Sequence, residues 1–207
     1  MGIYNDFVMP RIVNATCASG QLDPWRQRVC AGLFGRVLEI GFGAGTNVAH
    51  YPDAVTSVTA VEPSGASRRR AEQRVSRWAK PVTYVEWRDG VLPLEDATFD
   101  AALMTFTLCT VPNPVHVLTE IRRTLRPGGA LHLLEHGLAP DARVARWQHR
   151  LNGLEQRLAG GCELIRDPVE LLAAAGFALD SCDQRYAGGP RPWTYFTLGV
   201  ASARKFG

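Results

Sequence analysis

Residues 37–47 read VLEIGFGAGTN. An aliphatic run, broken only by Glu39, gives way to glycines at alternate positions: Gly41, Gly43 and Gly45. A near-continuous apolar run of this length predicts a strand buried on both faces. Glycine lacks a Cβ, so the turn that follows can adopt left-handed backbone and let a ligand approach the main chain closely. A dinucleotide loop has the spacing GxGxxG, with the third glycine reserved for helix packing. Here that glycine comes one residue early, at Gly45, and Thr46 holds the last position. A P-loop needs Gly-Lys-Ser/Thr, and the only lysines are Lys80 and Lys205. Both phosphate readings are weakened.

Outward from this turn, short apolar runs alternate with helical patterns, the mark of a parallel α/β sheet. Strands are predicted at 36–40, 57–61, 83–87, 99–105 and 130–135, with two more at 177–185 and 194–202. Helices are predicted at 23–34, 46–51, 65–79, 114–126, 141–158 and 167–175. Pro168 suits a first helical turn, and RPGG at 126–129 a helix stop. The 207 residues predict one domain. It is a doubly wound, Rossmann-like sheet of about seven strands with the last antiparallel, under helical capping segments. Its expected parts are an N-terminal cap (1–34), a cofactor-binding core (35–136), a capping insertion (137–165) and a C-terminal helix and hairpin (166–207).

Carboxylates stand at three successive strand ends: Glu39, Glu62 and Asp89. Glu62 lies about 20 residues beyond the first glycine, where a carboxylate can take both hydroxyls of a ribose. Such a field repels a pyrophosphate. It suits a ligand with a ribose, an adenine amine, an ammonium and a positive sulfur, which describes S-adenosylmethionine.

The chain resembles the class I S-adenosylmethionine-dependent methyltransferases over roughly residues 30–203. VLEIGFGAG is similar to their first motif, AVEP to their second, WRDGVLPLEDATFD to their third and fourth, and LRPGGALHLLEH to their post-motif strand. NVAHYP, TLCTVPNP and HLLEHGLAP are similar to the small-molecule thiol methyltransferases within that family, and more distantly to quinone-biosynthesis enzymes. The resemblance implies methyl transfer to a small, largely apolar acceptor, with a thiol, a phenol or a quinol as alternatives. It also implies a cofactor-binding set of Tyr4, Glu39, Gly41, Phe42, Gly43, Gly45, Asn47, Glu62, Pro63, Asp89, Gly90, Thr105, Phe106 and Cys109. His136, at the end of the fifth strand, is the expected general base. Trp25, Trp147 and Trp193 are expected to supply aromatic surface to the acceptor. The microsomal thiol enzymes carry an N-terminal membrane anchor. The N-terminal stretch here is not expected to form such an anchor, and their membrane location is not carried over.

Two rival classes stay open, a nicotinamide-dependent oxidoreductase and a non-catalytic adenosine-binding module. A nucleic-acid partner is not expected, because the net charge is only +3 and no (N/D)PP(Y/F) motif is present. No apolar run reaches the ~20 residues that span a bilayer, and no signal peptide is seen, so a cytoplasmic protein is expected. Five scattered cysteines without a CxxC pair fit a reducing compartment.

His132-Leu-Leu-Glu135-His136 matches a zinc-protease pattern that works only on a helix. On a strand its histidines would stand ~13 Å apart, so no metal is expected. Residues 141–158 form an amphipathic helix with Val144, Trp147, Leu151, Leu154 and Leu158 on one stripe. That stripe is expected to cap the core. The arginines opposite it leave peripheral contact with an anionic lipid surface as a second reading. The oligomeric state is open.

Overall fold

The computed structural model describes residues 20–88 and 90–203, so the expectations for Tyr4 and Asp89 lie outside the described residues. Seven strands form one sheet: β1 (Gly35–Ile40), β2 (Val55–Val61), β3 (Val82–Val85), β4 (Phe99–Thr105), β5 (Leu125–His136), β6 (Phe177–Tyr186) and β7 (Tyr195–Ala203). Their spatial order is β3-β2-β1-β4-β5-β7-β6. The first five are parallel, and β7 runs antiparallel to both neighbours. The order reverses between β1 and β4, which creates a crevice at their carboxyl ends where ligands bind in open α/β sheets.

The helices are α1 (Asp23–Cys30), α2 (Gly65–Arg77), α3 (Pro114–Thr124), α4 (Ala142–Leu158), α5 (Pro168–Ala174) and the one-turn α6 (Arg191–Thr194). Their starts are set by local chemistry. Ser64 caps α2 by accepting from Ser67 N, and Asn113 caps α3 by accepting from His116 N. Asp167 caps α5, with Pro168 in the first turn as expected. Helices cover both sheet faces. On one, Leu38, Ile40, Ala102 and Met104 pack with Leu118 and Ile121 of α3 and Leu172 of α5. On the other, Val37, Ala101 and Leu103 pack with Val29 and Cys30 of α1 and Ala71 of α2.

Three local expectations differ. The helix predicted at 46–51 is a single 3-10 turn, Val48–His50. Gly45 and Pro52 leave it little room, and the Asn47 side chain is drawn into the core. β5 begins at Leu125 rather than 130. RPGG does not end the pairing but bulges within it, since Phe99 pairs with Leu125 and Ala101 with Ala130.

The third difference concerns α4, which does not cap the core with its apolar stripe. Trp147 and Leu154 are each 54% exposed, whereas Gln148 is fully buried and Asn152 is 8% exposed. Gln148 accepts from Ala139 N and donates to the carbonyls of Gly137 and Pro192; Asn152 accepts from Leu164 N. The helix is fastened through the Gln148 and Asn152 amides, which complete loop backbone hydrogen bonds and face inward, while Arg143, Arg146, Arg150 and Arg157 stay exposed.

Candidate active site

The turn after β1 is built from three glycines with positive φ, each with a different task. At Gly41 a Cβ would stand 1.9 Å from Thr107 Oγ1, so the β1 end and the loop after β4 touch only because glycine is there. At Gly45 it would meet Ala71 Cβ at 3.2 Å, so Gly45 performs the helix-packing task expected of a third glycine. At Gly43 nothing among the described residues stands closer than Gly41 O, at 3.8 Å. Gly43 is therefore open on the side where the other two are closed.

That opening faces a cavity of about 430 Å³ at the switch point, within the usual range for a small-molecule site. Gly41, Phe42 and Gly43 line it from β1, Glu62 and Pro63 from β2, and Thr105 and Phe106 from β4. These seven expected cofactor residues converge. Glu62 accepts from Gly43 N (2.8 Å) and Ser64 N (2.7 Å). Each carboxylate oxygen has a second lone pair, so both retain capacity for a ribose hydroxyl.

Other expected residues lie behind the cavity or away from it. Glu39 is fully buried and accepts from the Tyr51 hydroxyl and from Asn47 Nδ2. Burial pushes its carboxyl up to about 7, against the pull of those hydrogen bonds and of Arg26. The side chain alternates away from the ligand crevice, so Glu39 contributes little to an acidic field there. Asn47 is buried too, donating to Glu39 and Thr105 while accepting from Arg26 Nη1 at 2.6 Å. Gly45, Gly90 and Cys109 are not in the lining.

None of the three tryptophans expected at the acceptor lines the cavity. Trp25 packs edge-on against Phe196 at 5.3 Å, with Arg185 over its other side. Trp147 and Trp193 are exposed. The lining includes instead Thr110, Val111 and Pro112 after β4, and Gly160 of the capping segment.

Several site residues carried no sequence signal. Arg26, only 3% exposed in α1, lines the cavity and lies over the Phe106 ring at 5.8 Å. Phe106 itself has φ +51, an uncommon conformation for an aromatic residue. In the sequence Glu135 stands out only within the zinc-protease pattern. It reaches from β5 to accept from Thr107 N (2.8 Å) and Leu108 N (3.0 Å), shaping the loop after β4. Burial pushes its carboxyl up to about 7, opposed by those amides. A glutamate buried in a strand end is a weak signal that such a loop needs an acceptor.

The expected base, His136, ends β5 but does not line the cavity. Its Nε2 lies 3.1 Å from Cys162 Sγ, and its Nδ1 is shielded from solvent with no hydrogen-bond partner among the described residues. A hydrogen bond from Cys109 takes the Cys162 thiol down to about 5, against burial and with help from His136. Burial would lower the His136 imidazole, but the bond to Cys162 carries it above its ordinary value. His132 is buried elsewhere, its Nδ1 2.9 Å from Val29 O, so the HxxEH histidines do not meet.

Comparison with known proteins agrees with this geometry. A family model described as a methyltransferase domain matches residues 38–133. The thiol S-methyltransferase TMT1B of Rattus norvegicus is 31% identical over 169 residues, 79% of this chain and 66% of that protein. A phosphatidylethanolamine N-methyltransferase of Cereibacter sphaeroides is 34% identical over 126 residues, 60% of this chain and 62% of that protein. The chain thus spans just under two thirds of the length of these relatives. The fold is also that of a crystal structure from Thermotoga maritima, described as an S-adenosylmethionine-dependent methyltransferase and possible histamine N-methyltransferase. It has a TM-score of 0.68 and 23% identity, and the match covers 98% of each chain.

Proposed function

Because the chain belongs to the class I S-adenosylmethionine-dependent methyltransferases, we propose that it methylates a small, largely apolar acceptor carrying a thiol. The cofactor of this family is S-adenosylmethionine, which supplies an electrophilic methyl group on a positive sulfur. One observation carries the assignment of its site. Gly43 opens onto a cavity at the strand switch point, beside a Glu62 carboxylate with unused acceptor capacity.

In this reading Glu62 takes the ribose hydroxyls and the backbone of Gly41–Gly43 lies against the ligand. Arg26 is the buried cation that can meet a carboxylate. Trp87 and Val61, also in the lining, offer apolar surface to an adenine ring. The acceptor lies against Thr110, Val111, Pro112 and Gly160. The protein's task is then mainly positioning and exclusion of water.

The relatives named as thiol methyltransferases support the acceptor class, as does its chemistry. A cysteine-like thiol titrates near pH ~8.5, so a few per cent is thiolate at neutral pH, and the high nucleophilicity of sulfur lowers the demand for a strong base. His136 has one ring nitrogen against Cys162 and the other shielded, and neither lines the cavity. His136 is therefore not placed to take a proton directly from a group in the cavity.

The test is transfer of a radiolabelled methyl group to a panel of alkyl thiols, phenols, quinols and amines. Labelled thioether from the alkyl thiols is the expected result. Product confined to phenols or quinols would replace the thiol reading with oxygen methylation.

A further inference from the structure

Three segments far apart in sequence bring their softest side chains together beside the cavity. Cys109 follows β4, His136 ends β5, and Cys162 follows α4. Their ligand atoms all lie within 4.8 Å of one another. Both cysteines are buried, and His136 Nε2 is 3.1 Å from Cys162 Sγ. We propose that Cys109, His136 and Cys162 form a three-ligand zinc site whose remaining coordination position takes the acceptor thiolate. The second half rests on the thiol reading above; the first does not.

The donor set is the first ground. Two thiolates and an imidazole match zinc, and three protein ligands with one open position are the pattern of zinc sites that bind a substrate atom. Tetrahedral bonds of ~2.3 Å to sulfur and ~2.0–2.1 Å to nitrogen would place neighbouring donors about 3.5–3.8 Å apart. The cluster is within about 1 Å of that spacing, a distance side-chain rotation can close.

The second ground is how firmly the backbone holds the cluster. Glu163 N donates to Cys109 O at 2.9 Å, clasping Cys109 to the residue after Cys162. Arg166 donates to the carbonyls of Leu108 and Val111, on either side of Cys109. Leu138 N donates to Arg166 O, tying the end of β5 into the same knot.

The third ground is location. Thr110, next to Cys109, and Gly160, two residues before Cys162, both line the cavity. Coordination would convert R–SH into zinc-bound R–S⁻, with the proton released to solvent and no change of oxidation state. The HxxEH pattern lies on a strand, and its two histidines do not meet on one metal. The proposed site uses only His136 of that pattern and draws its sulfurs from two other segments.

Cobalt tests this without any turnover. The purified chain is stripped with a chelator and titrated with cobalt(II) under reducing, oxygen-free conditions. One equivalent should bind, with thiolate-to-cobalt charge transfer and the visible bands of tetrahedral cobalt. Cys109→Ser and Cys162→Ser should each lose the charge-transfer intensity; Cys182→Ser, at an exposed position, should retain it. Titration with an alkanethiol should then shift the visible bands, with no methyl donor present.

Wild type that binds no cobalt, or carries a Cys109–Cys162 disulfide that forms without metal, overturns the metal site and leaves the methyltransferase reading intact. Cobalt bands that an alkanethiol does not move overturn the thiolate position. Cobalt bands in a protein that methylates only phenols or quinols support the metal site and end its thiolate role. The wild-type titration decides the first question even if a serine variant fails to fold.

Discussion

Glycines of one loop predict opposite outcomes at the residue scale. Gly43→Val should leave the protein folded yet abolish cofactor binding, because the new side chain points into the cavity from a left-handed position. Gly41→Val should unfold it, since its Cβ would overlap Thr107. Thermal melts and calorimetry separate the two; normal binding by Gly43→Val would remove the loop from the site. Glu62→Ala should lose charge-assisted hydrogen bonds worth about 1.5–3 kcal/mol each. That is on the order of ten- to a hundredfold in affinity, and unchanged affinity would reject its ribose role. Glu39 gives a stability signature instead. Its carboxyl is raised from 4.5 to about 7 in the folded state. The folded protein therefore holds that proton more tightly, and the stability this confers is lost as pH climbs from about 4.5 through about 7. Glu39→Gln, which stays neutral, should match wild type below that window and exceed it above, by on the order of 3 kcal/mol. A stability difference that does not change between pH 4 and pH 8 would contradict the shift. Glu62 was legible because its distance from the glycine turn carries meaning. The inward turn of Glu39 was not, because the spacing of strand-end acids does not say which side of the sheet each faces.

Elements show the same limit more clearly. Strands β1, β2 and β4 were legible as apolar runs because both of their faces are covered. In α4 a 3.6-residue period showed that two faces differ, but not which one the protein buries. Loop carbonyls and amides at Gly137, Ala139, Pro192 and Leu164 decide that, and no local pattern encodes them. Gln148→Leu, favourable by simple hydrophobic patterning, should therefore destabilise. It strands three backbone groups, each costing about 1–3 kcal/mol when left buried and unpaired. With some of that recovered by water, a loss of several degrees in Tm is expected for a chain of this size. A Tm equal to or above wild type would show that α4 is not held by its amide side. Trp147→Ala, at an exposed position, should leave Tm nearly unchanged. The Cys109–His136–Cys162 cluster was illegible for a related reason: its members sit on three elements whose meeting depends on the whole α4 excursion between β5 and β6.

Across the whole molecule, β7 sits between β5 and β6 although it follows both in the chain. β5 and β7 pair over seven residues, from Ala130 with Ser202 to His136 with Phe196. Among the described residues β6 has no strand partner other than β7. Synthesis therefore delivers β6 before anything it can pair with, and leaves β5 as an open edge bearing Leu131, Leu133 and Leu134, all buried in the finished sheet. An unpaired apolar edge is a template for association with other chains. A chain stopped after Tyr186 should accordingly partition to the insoluble fraction despite retaining the entire cavity lining; a soluble, monomeric product would show that the edge is harmless. Nascent molecules of this protein spend the interval before residues 195–203 emerge in their most aggregation-prone form, so ribosome pausing in that interval would lengthen the exposure while adding nothing to the ligand site.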